Sequence, residues 1–296
     1  MLHVVKVHDT LLGIAKRYGT TVELIMESNV ICNPNYIYIG QPLIIPEPNL
    51  LLLKSGGIPY YVVNYGDTLL CLAKQFSQSI ESLITANKLQ NSNQLYPGME
   101  LLVNYNPPAN PEELFETWDK TVLNSLTFLQ FIGIYFMNTF TWEALGENAT
   151  PYLAKLLNHE NSQVRYYTVL SLGRIGTGKG TFKALQRALK DNDNLVVATA
   201  KLALKRYQLI SRWTKRIHIV TEETKLLNKP SLSASSIPIT SGTPIIVLTW
   251  RIPDPVDEGW STVNYNPPIY DLIKIVETGQ TGYLPRGSHY EVINFI

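Results

Sequence analysis

A displacement of 58 positions constrains this 296-residue chain more than any single motif. VVKVHDTLLGIAKRY, beginning at Val4, falls without a gap on VVNYGDTLLCLAKQF, beginning at Val62. The register then holds: Glu23 meets Glu81, Asn29 meets Asn87, Asn33 meets Asn91, Tyr38 meets Tyr96, Gly40 meets Gly98 and Leu43 meets Leu101. A fixed offset sustained over such a length marks a duplication, so the two copies share one fold.

Each copy reads as strand, helix, helix, strand. Val4–Val7 is a short β-branched run, and Thr10 behind Asp9 opens a helix whose apolar positions Leu11, Leu12, Ile14, Ala15 and Tyr18 recur at helical spacing. Thr20 or Thr21 opens a second helix ending near Asn29, and Tyr38-Ile39-Gly40 turns into a closing strand at Leu43–Ile45. The second copy repeats this from Asp67-Thr68 to Leu101–Val103. A unit of about 45 residues is near the lower limit for independent folding.

GDTLLCLAKQF, SIESLITANKL and QLYPGMELLV resemble the three segments of the LysM family's βααβ module, and the first copy matches nearly as well. The resemblance implies binding of N-acetylglucosamine polymers, peptidoglycan or chitin, in a shallow groove between the first strand–helix loop and the second helix–strand loop. Carried onto this chain, the implied contacts are Asp9, Thr10 and Leu11 with Ile37 and Tyr38, and Asp67, Thr68 and Leu69 with Leu95 and Tyr96. Exposed turn amides can bond an acetamide while apolar side chains cover its methyl group. The same leucines and tyrosines also suit a small core, and Asp9 and Asp67 read more readily as helix caps than as ligands. His8 replaces the glycine found as Gly66, from which a distorted or weaker first groove is expected.

The full reading is a multidomain α+β protein: LysM units at 1–47 and 59–105, a helical domain at 111–210 and a β-rich domain at 214–296. Pro46, Pro48, Gly56, Gly57 and Pro59 mark a linker, whose Leu50–Leu53 are expected to pack against a neighbouring unit. Val122–Trp142 holds no charged residue over 21 positions. Its asparagines and Gln130 argue against lipid contact, so a buried helix of the helical domain is expected. The segments from Ala149 and Thr181 are helix-turn-helix units offset by 32, resembling HEAT-like repeats, a fold whose usual role is protein contact. Gly173–Thr181 approaches a phosphate-binding loop but has Gly180 at the hydroxyl position and a helix before it, so it reads as a turn. Strand-like runs at Ile217–Val220, Pro244–Trp250, Tyr270–Val276 and Tyr290–Ile293 resemble a bacterial SH3-like barrel, with Trp250, Trp260 and Tyr283 as candidate contact aromatics.

A formal charge of +1 without a basic patch makes nucleic acid a poor partner. Cys32 and Cys71 occupy non-equivalent positions of the repeat and form no metal or redox spacing; they read as free, half-buried residues, leaving the redox compartment open. The five histidines are scattered and no catalytic or metal-ligating constellation is readable; Glu143, Glu147 and Glu160 read as a solvated face. No cofactor or metal is expected. A first strand starting within about three residues of Met1 leaves no room for an ordinary signal peptide. That suggests a cell-wall or spore-envelope protein, with a phage particle or a secreted protein stripped of its signal as alternatives.

The expected function is non-enzymatic: tandem LysM units bind N-acetylglucosamine-containing glycan, peptidoglycan or spore cortex, while the helical and SH3-like domains contact protein or act as spacers. The alternatives are a structural or phage-assembly component whose LysM-like units pack on protein, and a wall hydrolase with an unrecognised active site.

Overall fold

The computed structural model describes residues 1–47, 54–105, 110–213, 216–254, 268–286 and 293–296. Expectations for Leu50–Leu53, Trp260, His289 and most of the run Tyr290–Ile293 lie outside the described residues.

The first copy forms β1 (Leu2–Val4), α1 (Leu11–Tyr18), α2 (Val22–Ser28) and β2 (Pro42–Ile44). The second forms β3 (Tyr60–Val62), α3 (Leu69–Gln75), α4 (Ile80–Asn87) and β4 (Glu100–Leu102). Both are antiparallel pairs in one register: Leu2 faces Ile44, and 58 residues on, Tyr60 faces Leu102. Thr10 and Thr68 cap α1 and α3, accepting from the amides of Gly13 at 3.0 Å and Cys71 at 3.2 Å. Asn29 and Asn87 end the second helices and bond the closing strands through their side-chain amides.

Backbone conformation repeats even where residue type does not. His8 adopts φ 67° where Gly66 adopts φ 81°, and Ser77 adopts φ 54° where Gly19 adopts φ 65°. The His8 turn thus keeps the backbone conformation of the Gly66 turn, with His8 held in the left-handed region.

Each unit has its own core, around Ile14, Ile25 and Leu43 in the first and Leu72, Leu83 and Leu101 in the second. The strands of the second unit are covered on both faces. Tyr61 and Leu101 point into the unit, while Tyr60 and Leu102 belong to a larger cluster built from the helices and the terminal sheet.

The helical segment comprises α5 (Pro111–Lys120), α6 (Phe128–Phe131), α7 (Asn138–Leu145), α8 (Thr150–Leu156), α9 (Ser162–Ile175), α10 (Lys179–Ala188) and α11 (Asn194–Ile210). Val122–Trp142 is not one buried helix. It is broken into a 3-10 turn at Leu123–Ser125, α6, a π-helical stretch at Ile132–Met137 and the start of α7. Phe128 and Leu129 are exposed, whereas Phe136, Phe140 and Trp142 are buried. Within the π-helical stretch the Ile134 carbonyl accepts from the Trp118 indole at 2.9 Å and the Asn138 amide at 3.0 Å. No helix among the described residues is long and apolar enough to cross a membrane.

Arg165 bonds both carboxylate oxygens of Asp191 at 2.8 and 2.9 Å, joining the turns of the α8–α9 and α10–α11 hairpins. A Cβ on Gly173 would stand 2.9 Å from the Cβ of Ala203, so the α9–α11 crossing needs glycine. Gly178 precedes α10 at φ 89°, as expected of a turn ending one helix and starting the next.

The terminal segment is a curled antiparallel sheet of β5 (Ile217–Ile219), β6 (Thr224–Leu227), β7 (Ser236–Ile239), β8 (Pro244–Pro253), β9 (Ile269–Ile275) and β10 (Thr281–Pro285), in the order β5-β8-β9-β10-β6-β7. Polar contacts weld it to the second unit. Glu100 on β4 faces His218 Nε2 at 2.9 Å and accepts from the Trp250 indole at 3.1 Å. Tyr60 donates to Glu143 at 2.5 Å, so Glu143 belongs to an interior contact and not to a solvated face.

Candidate glycan-binding site

The turn between the first strand and first helix of each unit is closed by its aspartate. Asp9 Oδ2 accepts from the Lys6 amide at 2.9 Å and faces His3 Nε2 at 2.8 Å, while Arg17 reaches Oδ1 at 3.0 Å. Asp67 Oδ2 accepts from the Asn64 amide at 2.7 Å and from the Tyr61 hydroxyl at 2.8 Å. His3 and Tyr61 are equivalent positions, so the same staple is built from two side-chain types. The aspartates tie strand to turn, and the helix caps are Thr10 and Thr68.

Electrostatically the staples differ. The Lys6 amide, with His3, holds the Asp9 carboxyl down at about 2. Burial pushes the Asp67 carboxyl up, against the lowering effect of the Asn64 amide and Tyr61.

Leu11 and Leu69 are both 2% exposed and belong to the cores of their units, so their side chains are not offered at the surface. Ile37 and Leu95 are half-buried against the same two cores. Thr10 and Thr68 lie at the surface, as do Tyr38 and Tyr96. Sequence reasoning missed Leu12 and Leu70, equivalent residues exposed at 58% and 54%. Their signal was a Leu-Leu pair repeated in both copies, whose second member must turn away from the core when the first enters it.

The cysteines are not free. Cys32 and Cys71 form a disulfide with Cα atoms 5.9 Å apart, tying the second loop of the first unit to α3 of the second. Gly66 is packed against that same loop, where an added Cβ would stand 2.5 Å from the Tyr36 ring and 3.0 Å from Asn33. The loop carrying Ile37 and Tyr38 is thus fixed beside the turn carrying Asp67 and Thr68. Tyr38 is also anchored beyond the pair, its hydroxyl 3.0 Å from Thr249 Oγ1.

Trp250 and Tyr283 are buried in the terminal sheet. Among the described residues no group of His, Cys, Asp or Glu side chains is placed to hold a metal ion.

Residues 3–46 and 61–104 match the family LysM domain. The chain carries two LysM units. LysM domains imply binding of peptidoglycan-type glycan. The endolysin of Bacillus phage B103 is 34% identical over 33% of this chain and 36% of its own length. The N-acetylmuramoyl-L-alanine amidase sle1 of Staphylococcus aureus is 32% identical over 36% of this chain and 35% of its own. The chain therefore spans about a third of the length of these curated relatives. The Bacillus megaterium QM B1551 spore cortex-lytic enzyme SleL aligns over 96% of this chain and 88% of that chain at 12% identity, with a TM-score of 0.18, too low for a common arrangement.

These relatives overturn the expectation that the protein is not an enzyme. The proteins similar to its LysM-bearing part are named an endolysin and an amidase.

Proposed function

We propose that the two LysM units hold this protein on N-acetylglucosamine-containing glycan of the peptidoglycan or spore-cortex type, and that the protein takes part in hydrolysis of that polymer at the cell wall or spore envelope. The observation that carries the binding part is the doubled surface. In each unit an exposed threonine and leucine, Thr10 with Leu12 and Thr68 with Leu70, follow a turn locked by aspartate, and an exposed tyrosine, Tyr38 or Tyr96, stands on the second loop. Turn amides at Leu11 and Leu69 supply donors for an acetamide oxygen, those of Asp9 and Asp67 being bonded to the Lys6 and Asn64 carbonyls, while Leu12, Ile37, Leu70 and Leu95 supply apolar cover. The names of the relatives support the hydrolytic part. In this reading the HEAT-like helices and the SH3-like sheet serve as a rigid support or protein-contact surface behind the LysM pair.

Titration of the purified protein with N-acetylglucosamine oligomers of increasing length tests binding, and release of soluble muropeptides from insoluble peptidoglycan tests hydrolysis. Affinity that rises with oligomer length and measurable release are expected. No oligomer binding contradicts the first part, and no release contradicts the second.

A further inference from the structure

The two LysM units bring the same turn to one cleft. Tyr38-Ile39-Gly40 of the first and Tyr96-Pro97-Gly98 of the second are equivalent in the repeat. Ile39-Gly40 and Pro97-Gly98 both line a cleft of about 660 Å³, together with Leu248, Leu272 and Tyr283 of the terminal sheet. Gly40 and Gly98 adopt φ 89° and 85°, so the two turns match in conformation. The cleft falls within the range of about 300 to 1,000 Å³ typical of ligand sites.

It is continuous with both candidate grooves. Ile37 and Tyr38, contacts of the first groove, line it. Pro97 directly follows Tyr96 of the second groove, and Asn64 and Tyr65 lead into the turn that carries Asp67 and Thr68. The surrounding parts are also locked together. Val30 of the first unit is buried in the core of the second, the Cys32–Cys71 bridge joins the units, and the Tyr38 hydroxyl meets Thr249 of the sheet at 3.0 Å. A ligand crossing this junction meets a preformed surface, with little left to order on binding.

The lining is neutral and amphipathic. Tyr36 and Ile39 from the first unit are exposed at 52% and 67%, and Tyr65 from the second at 71%. Asn64 donates to the Tyr61 hydroxyl at 3.0 Å, which leaves its side-chain oxygen to accept from a ligand. Asn228 and Thr281 add exposed polar side chains. The described lining residues include no aspartate, glutamate, lysine or histidine, and Arg216 is engaged within the protein, donating to the Val247 carbonyl at 2.9 Å. Exposed aromatic rings beside neutral hydrogen-bonding groups suit a ligand with flat apolar faces and a polar edge, which is the character of a sugar ring.

We propose that this cleft is a bridging subsite: one N-acetylglucosamine-containing chain seated in both LysM grooves crosses it, with Tyr36 and Tyr65 stacking on its rings and Asn64 accepting from its polar edge. The proposal rests on the glycan reading above and deepens it. The two units and the sheet then form one continuous site for a long chain, where independent grooves would each take a short one.

The test is calorimetric titration of the full chain with the N-acetylglucosamine disaccharide and with an oligomer of about eight sugars, a length chosen to span linked sites. One long oligomer is expected to bind per chain, against two disaccharides. Tyr36→Ala with Tyr65→Ala should weaken the long oligomer about tenfold and leave the disaccharide unchanged. Tyr65→Ala alone should weaken the long oligomer several-fold, at a position independent of the packing between Tyr36 and Gly66. Tyr36→Phe with Tyr65→Phe should retain wild-type affinity, because the rings and not the hydroxyls make the stack. Leu70→Ala with Tyr96→Ala should weaken both lengths, since these side chains belong to a groove. Long-oligomer affinity unchanged in both alanine variants overturns the proposal, as does equal loss at both lengths or binding of two long oligomers per chain. Disaccharide binding with no gain from length overturns the bridge and leaves the LysM reading standing, whereas a wild-type chain that binds neither length removes both.

Discussion

Asn29 and Asn87, one repeat apart, make the same bonds. Each amide nitrogen donates to a carbonyl four residues back in its helix and to one on the closing strand, and each side-chain oxygen accepts from the strand amide: Ile44 at 2.8 Å in the first unit, Leu102 at 2.7 Å in the second. The side chain substitutes for a missing strand neighbour and pins helix end to sheet.

Truncation to alanine leaves those strand groups without partners inside the protein. We expect Asn29→Ala to destabilise the fold by roughly 2 to 4 kcal/mol, and Asn87→Ala by somewhat less because its side chain is less buried. Urea unfolding followed by circular dichroism measures both. Losses below about 0.5 kcal/mol would show that water replaces the bonds.

The disulfide makes a second prediction. Closing a segment with a sequence separation of 39 restricts the unfolded chain, so Cys32→Ser with Cys71→Ser should lower stability by roughly 3 to 4 kcal/mol. Because the bridge fixes one unit against the other, the double variant should also lose affinity for long glycan more than for short oligomers. An unchanged ratio of long to short affinity would mean that packing at Gly66 alone sets their orientation.

The repeat made much of this fold legible. An ungapped offset of 58 positions carries strand register, caps and clamping asparagines together, because all of them are local to one unit. The disulfide was hidden for the converse reason: Cys32 and Cys71 are not equivalent, and their pairing depends on how two units pack. Likewise Glu143 looked solvated until Tyr60, 83 residues earlier, is seen to reach it. Val122–Trp142 is apolar without a strict helical period, and composition alone did not separate one helix from several short pieces. At the candidate site the loops were readable, but of the Leu-Leu pair the buried member was chosen, since both look alike in sequence and only helix phase distinguishes them.

The two aspartate staples should respond oppositely to acid. Asp9 is held at about 2, below its unfolded value near 3.8, so it stabilises the fold above that value and loses this effect as pH falls towards 2. Asp67 is pushed up, so its contribution is greatest below the unfolded value and is lost as pH rises through its folded range. Unfolding midpoints of Asp9→Asn should converge with wild type towards pH 2. The advantage of aspartate over asparagine at position 67 should shrink as pH rises. Parallel pH profiles for the two variants would contradict the assignment.

Left-handed turns give a paired test. Gly66→Ala places a Cβ in a conformation costing about 1 to 2 kcal/mol and presses it on Tyr36 and Asn33, so it should destabilise. His8→Gly relieves the equivalent conformation and should be neutral or stabilising by up to about 1 kcal/mol. Thermal melts decide it, and a His8→Gly loss as large as that of Gly66→Ala would show that His8 has a packing role.

The central claim is that the exposed surfaces of the two LysM units hold this protein on peptidoglycan. Co-sedimentation with insoluble peptidoglycan, comparing wild type with Leu12→Ala, Leu70→Ala and Tyr96→Ala combined, tests it most directly, since all three side chains are exposed and their removal spares the cores. Wild type should pellet with the polymer, and the triple variant, folded by circular dichroism, should bind at least about tenfold more weakly because both linked sites are impaired. Undiminished sedimentation of the triple variant, or a wild-type protein that stays in the supernatant, would contradict the account.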